Sequence, residues 1–153
     1  MDILHAHLLP GTDRRVPEHT RPSDNERIHA RTLHDVSMYL GASDETLTAR
    51  LQELEHEWDI ERTLEANAAS LALIGLTLGV TVDKRFLVLP FAVSVFLLQH
   101  ALQGWCPPLP LLRRLGIRTS AEIHQEIIAL RILRGDFLEQ PVYPESLLAA
   151  AAL

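Results

Sequence analysis

The clearest pattern in the sequence is a pair of apolar stretches near its middle. Residues 66–82 carry no charge and four polar side chains, and residues 86–105 carry no acidic or permanently charged group. The stretches are 17 and 20 residues long, or about 25 and 30 Å as helices, against roughly 30 Å for the hydrocarbon core of a bilayer. Only Asp83, Lys84 and Arg85 separate them. The pattern predicts two membrane-spanning helices joined by a tight turn.

A soluble helical bundle is the alternative, because both stretches are close to the minimum length for spanning. The rest of the chain offers little apolar surface to cover two helices that are hydrophobic on every side, which favours lipid. Residues suited to the membrane interface stand at the ends of both stretches. They are Lys84 and Arg85 in the turn, Trp105 at the exit, and Arg113 and Arg114, which we expect to face anionic headgroups.

Two amphipathic helices are predicted ahead of the spans. Ser23 and Glu26 have capping-box spacing for the first helix, and Gly41 would end it. Its apolar face is Ile28, Thr32, Val36 and Tyr39. Ser43 or Asp44 would cap the second, whose narrow stripe is Leu47, Leu51, Leu54 and Trp58. The stripe would suit packing against the preceding helix or against a copy of itself.

A further amphipathic helix is predicted after the spans. Thr119 and Glu122 have capping-box spacing, and Gly135 would end the helix. Its apolar face is Ile123, Ile127 and Leu130, widened by Ile128 and Ile132. Such a helix would either lie on the membrane surface or pack against the amino-terminal helices.

The predicted fold class is therefore all-α, and the chain divides into five parts. They are a flexible or loosely docked arm (1–22), a cytoplasmic helical pair (23–63), a transmembrane hairpin (64–106), an interfacial turn with an amphipathic helix (107–137), and a carboxy-terminal tail (138–153).

Charge and cysteine content exclude some classes of function. The formal net charge of −6 lacks the basic stripe that neutralises nucleic-acid phosphates, so no nucleic-acid partner is expected. A single cysteine forms no intramolecular disulfide. Basic residues near the span ends favour a cytoplasmic location for both termini, because five of them (Arg50, Arg62, Arg113, Arg114 and Arg118) flank the spans outside the turn and two lie within it.

A stripe of small residues lies along the first span. Gly75 and Gly79 form a G-x-x-x-G pair, and Ala68 and Ala72 extend it at helical spacing. Small side chains allow two helix backbones to approach closely. The stripe is either a dimer face or the surface that packs against the second span at Ala92, Ser94 or Ala101.

Polar side chains gather near the end of the second span. Gln99 and Gln103 are one helical turn apart, with His100 beside them, and this set would either line a small channel or sit at the membrane interface. Cys106 follows as a candidate thiol. Its place after a helix C-terminus opposes thiolate formation, although Arg113 or Arg114 could fold back to activate it.

Residues 58–137 resemble the YgaP-like inner-membrane family of bacteria. The most distinctive sequence segments are "WDIERTLE" and "HALQGWCPP", with "ALRILRGDF" further on. The resemblance implies a membrane hairpin that stands alone or is attached to a rhodanese domain, associated with homodimers and without a defined biochemical role. Residues 1–57 have neither a strand pattern nor a cysteine, so sulfur transfer is not implied. We therefore expect a non-enzymatic, lipid-embedded module that forms a homodimer, with no cofactor and no metal.

Overall fold

The computed structural model describes residues 10–137, and all of its regular elements are helical. They are α1 (Arg15–Glu18), α2 (Pro22–Met38), α3 (Asp44–His56), α4 (Ile60–Thr81), a 3-10 helix (Lys84–Leu87), α5 (Val88–Gln103), α6 (Leu109–Arg114) and α7 (Ser120–Arg134). The predicted all-α class is confirmed. The first nine residues of the predicted arm and the predicted tail 138–153 lie outside the described residues.

The described chain separates into two compact units. The first contains residues 10–28 and Trp58–Ser120, and the second contains His29–Glu57 and residues 121–137. Two segments are long and apolar enough to cross a membrane: Asp44–Thr81, of which α4 is the apolar part, and Lys84–Gln103.

α4 begins earlier than the sequence pattern indicated. The Asp59 side chain accepts a hydrogen bond of 2.7 Å from the Arg62 backbone N–H, which caps the helix and lets it run for 22 residues to Thr81. The predicted boundary between residues 63 and 64 therefore falls inside one continuous helix. Trp58, expected on the apolar stripe of α3, lies in the connection between α3 and α4 and is 50% exposed.

The connection from α4 to α5 is short and ordered by Asp83. Its side chain accepts a 2.8 Å hydrogen bond from the Arg85 N–H and caps the 3-10 helix. Pro90 then falls in the first turn of α5. Backbone nitrogens in a first turn have no acceptor within the helix, so a proline there costs no hydrogen bond. Gly104, with φ of 80°, ends α5 two residues before the predicted Cys106 boundary.

The core of the first unit includes a residue from the predicted arm. Val16 of α1 is buried together with Ile60, Leu64, Cys106 and Leu109. Of the flexible and the docked arm considered, the docked one is observed for residues 10–22, because α1 contributes an apolar side chain to a core built mainly from α4 and α6.

α2 also begins before its predicted cap. Its first residue is Pro22, whose fixed φ suits the first helical position, so Ser23 lies within the first turn instead of preceding it. The backbone N–H groups of Asp24 and Asn25 donate to the Arg21 carbonyl.

The second unit is held by α3 and α7. Ser43 caps α3 by accepting from the Thr46 N–H at 3.4 Å, and α7 begins directly after Thr119, the residue expected to precede it. Their facing side chains form one core: Leu47, Leu51, Leu54, Ile123, Ile127 and Leu130. Of the two placements expected for the carboxy-terminal helix, packing against an amino-terminal helix is the one observed, while Ile128 and Ile132 remain exposed.

Candidate functional site

An apolar cavity lies between α4 and α5 at the end of the second apolar segment. Its volume is about 160 Å³. Leu64 and Ala68 of α4 line one side, Phe96 and His100 of α5 line the other, and Cys106 closes the end. The fold thus brings two of the predicted site residues, His100 and Cys106, to one cavity.

His100 is the polar residue of this cavity and is almost completely buried. His100 is 4% exposed, and neither of its ring nitrogens has a hydrogen-bond partner among the described residues. Burying a polar group without a partner costs about 1–3 kcal/mol. His100 therefore weakens the local structure relative to an apolar residue of the same shape.

Cys106 is poorly placed for thiol chemistry. It is 3% exposed, and burial raises the pKa of its thiol, while the Leu109 backbone N–H acts in the opposite direction to a smaller extent. A raised pKa reduces the thiolate fraction at neutral pH, and the thiolate is the reactive form. The cavity accordingly holds a protonated thiol.

Gln99 and Gln103 do not share this cavity with His100. Gln99 is half-buried and Gln103 is exposed, and neither lines the apolar space. The structure therefore does not assemble the polar set Gln99, His100 and Gln103 that was considered as a channel lining. Among residues 10–137, no three histidine, cysteine, aspartate or glutamate side chains are grouped to hold a metal ion.

An interaction that the sequence pattern did not indicate fixes the end of α5. The Arg15 guanidinium donates to the Ala101 carbonyl at 2.9 Å and pairs with Glu61 at 3.5 Å. A Cβ atom at Gly104 would collide with the Arg15 carbonyl. Arg15 lies in the stretch read as an arm, where no periodicity marks it, so only the tertiary fold reveals this role.

The small-residue stripe is covered by the same chain. A Cβ atom at Gly75 would lie 2.5 Å from Pro90 Cδ, and one at Gly79 would lie 2.5 Å from Leu87 Cδ2. Both glycines are buried, whereas Ala68 and Ala72 are half-buried. Of the two uses considered, packing within one chain is the one observed for the glycines. Their partners are Leu87, Leu89 and Pro90 in place of Ala92, Ser94 or Ala101.

The predicted interface anchors divide into exposed and buried side chains. Lys84, Arg85 and Arg114 are exposed, and Trp105 packs partly against the first-unit core. Arg113 has no solvent exposure, because its guanidinium donates to the Ile117 carbonyl at 3.1 Å and to Asn25 Oδ1 at 2.9 Å. The expectation that Arg113 faces headgroups directly is therefore wrong, and its role is to join α6 to α2.

Comparisons of the chain with protein-family models, curated proteins and solved structures find no match. The geometry of its own residues is consequently the basis for a functional proposal.

Proposed function

We propose that this chain is a small integral protein of the bacterial inner membrane, with α4 and α5 as a spanning hairpin. In this proposal it is a non-enzymatic module that self-associates, and its direct partners are the lipid bilayer and a second copy of the chain. The proposal involves no cofactor.

The observation that carries the proposal is the exposure of large apolar side chains along α4 and α5. The most apolar window of the first segment is 17% buried and that of the second is 6% buried. The exposed side chains include Leu73, Val80, Phe91 and Leu98. A core helix of a soluble protein would have most of this surface covered, whereas lipid covers it without further protein.

The ends of the hairpin support the same arrangement. Lys84 and Arg85 are exposed in the turn, and Arg114 is exposed beyond α5. Positively charged side chains at these levels meet the headgroup region. With five basic residues flanking the hairpin and two in its turn, we propose that both termini are cytoplasmic.

Self-association and family membership extend the proposal. Likeness to the YgaP-like family in "WDIERTLE" and "HALQGWCPP" supports a homodimer. Since α5 and the 3-10 helix cover Gly75 and Gly79, the dimer would use an outward face instead. Leu73 and Val80 are seven residues apart, share one face of α4, and are 65% and 83% exposed.

Membrane insertion is tested by fractionation of the expressed full-length chain. The protein should remain with the membrane in a carbonate wash and enter solution only with detergent. Appearance in the wash or in the soluble fraction would contradict the proposal. In that case, α4 and α5 would be helices of a soluble assembly.

Topology and association are tested with single cysteines in a Cys106→Ala background. Lys84→Cys in the turn should react with a membrane-impermeant maleimide from outside intact spheroplasts, while Arg31→Cys should react only after lysis. The reverse pattern would contradict the proposed orientation. Leu73→Cys should give a disulfide-linked dimer under oxidation, and Gly75→Cys, covered by Pro90, is the matched control that should not.

A further inference from the structure

A second, larger cavity in the first unit adjoins the exit of α5. Its volume is about 520 Å³. The turn between α1 and α2 contributes Arg21, the first turn of α2 contributes Asp24, and α6 contributes Leu111, Arg113 and Arg114. Three arginines therefore surround this space in a chain whose net charge is −6.

The single carboxylate of this group does not neutralise the arginines. Asp24 is 3% exposed, and its two oxygens already accept from Arg21 at 3.1 Å and Arg27 at 2.9 Å. Arg21, Arg27 and Arg114 against the one carboxylate of Asp24 leave an excess of positive charge in the wall. Arg21 and Arg114 are exposed and within reach of a ligand, whereas Arg113 is buried.

Arg27 holds the walls of the cavity together. Its guanidinium donates to the carbonyl oxygens of Arg113 and Arg114, at 3.1 and 2.8 Å, in addition to Asp24. One side chain of α2 thus connects the α1–α2 side to the end of α6. The backbone at Arg113 and Arg114 is held in place before a ligand arrives, which limits the entropy lost on binding.

Apolar side chains are exposed on the same short helix and directly after its end. Leu111 and Leu115 are 59% and 68% exposed. Guanidinium groups suit phosphate oxygens because they donate in a planar fork, and exposed leucines suit acyl chains. The combination matches an amphiphile better than a free anion or an acidic peptide.

We propose that this cavity binds the headgroup of an anionic phospholipid. Arg21 and Arg114 donate to its phosphate, and Leu111 and Leu115 contact the acyl chains. The inference rests on the proposed membrane location and specifies which lipid class the protein recognises at the exit of α5.

The test is native mass spectrometry of the full-length protein in detergent, titrated with dihexanoyl phosphatidylglycerol or dihexanoyl phosphatidylcholine. We expect one phosphatidylglycerol to bind with at least about tenfold preference, a factor that corresponds to 1.4 kcal/mol. Arg21→Gln combined with Arg114→Gln should abolish the preference. Arg14→Gln combined with Arg31→Gln is the control, since these arginines are exposed and lie outside the cavity lining.

Equal binding of the two lipids, or a preference that survives in the double variant, would overturn the inference. Displacement by inorganic phosphate or an acidic peptide at equal concentration would also overturn it, because the site would then recognise a soluble anion. These short-chain lipids need no bilayer. The lipid titration therefore tests the cavity alone. Failure of the proposed membrane insertion would instead be seen as release of the protein in the carbonate wash.

Discussion

The guanidinium of Arg50 on α3 donates two hydrogen bonds to one oxygen of Glu126 on α7, at 3.1 and 2.9 Å, and Glu126 has no solvent exposure. This ion pair lies beside the leucine and isoleucine side chains that join the two helices. A buried carboxylate is tolerated in such a place only when hydrogen-bond donors compensate its lost hydration.

Arg50→Met should lower the local stability of the α3–α7 pair by about 1.5–3 kcal/mol, the contribution of hydrogen bonds to a charged group. Hydrogen exchange of α3 and α7 amides in the detergent-solubilised chain measures it. Arg31→Met is the control. The Arg31 side chain is 61% exposed, and its ion pair with Asp35, at 3.7 Å, is a surface contact that contributes little stability. Equal effects of the two substitutions would show that the Glu126 pair contributes no more than a surface contact.

Gly75→Ala should destabilise the α4–α5 pair more than Gly79→Ala. The new methyl group at residue 75 meets the rigid Pro90 ring, whereas at residue 79 it meets a Leu87 side chain that can change rotamer. Overpacking of this kind costs about 1–3 kcal/mol.

Thermal unfolding in detergent, followed by circular dichroism, compares the two variants with Ala69→Leu, which adds bulk at an exposed position of α4. The reverse order of the glycine variants would contradict the packing seen here. A loss of dimer without a loss of thermal stability would return the glycines to a face between chains.

Cys106 should react slowly with a soluble maleimide in the folded protein and rapidly after unfolding. Burial limits access, and the raised pKa keeps the thiol protonated near pH 7. The folded-state rate should still be rising with pH above about 8.5, the usual cysteine pKa, because the folded pKa lies higher. A rate that reaches its plateau near neutral pH would indicate an activated thiol and contradict the geometry.

Asp136 should make a pH-dependent contribution to stability. The Arg134 guanidinium bonds both carboxylate oxygens, at 2.7 and 2.6 Å, and lowers the pKa of Asp136 despite the opposing effect of partial burial. The stabilisation is complete above the unfolded pKa of about 3.9 and is lost as pH falls through the lower folded value.

The measurement is the difference in thermal midpoint between the natural chain and Asp136→Asn. It should be constant above about pH 5 and shrink below about pH 4. Asp13→Asn, at an exposed site, supplies the comparison. A difference that grows on acidification would contradict the assigned ion pair.

Periodicity and capping residues predicted much of the architecture, since Ser43, Gly41 and Gly135 act locally and their effects can be read from neighbouring residues. The burial of Arg113 could not be read in that way, because Asn25, its partner, is 88 residues distant in the chain. The docking of Val16 likewise depends on a distant core. The cavity pairing of His100 with Cys106 required the left-handed turn at Gly104, which ends the helix between them.

The contact between Arg15 and the end of α5 also constrains the order of events during synthesis. Arg15 leaves the ribosome long before its acceptor, the Ala101 carbonyl, which lies 86 residues later in the chain. Val16 therefore has no complete core to enter until both apolar helices have been made. In a nascent chain, α1 therefore emerges before the helices that it packs against and completes its native contacts only after they have been made.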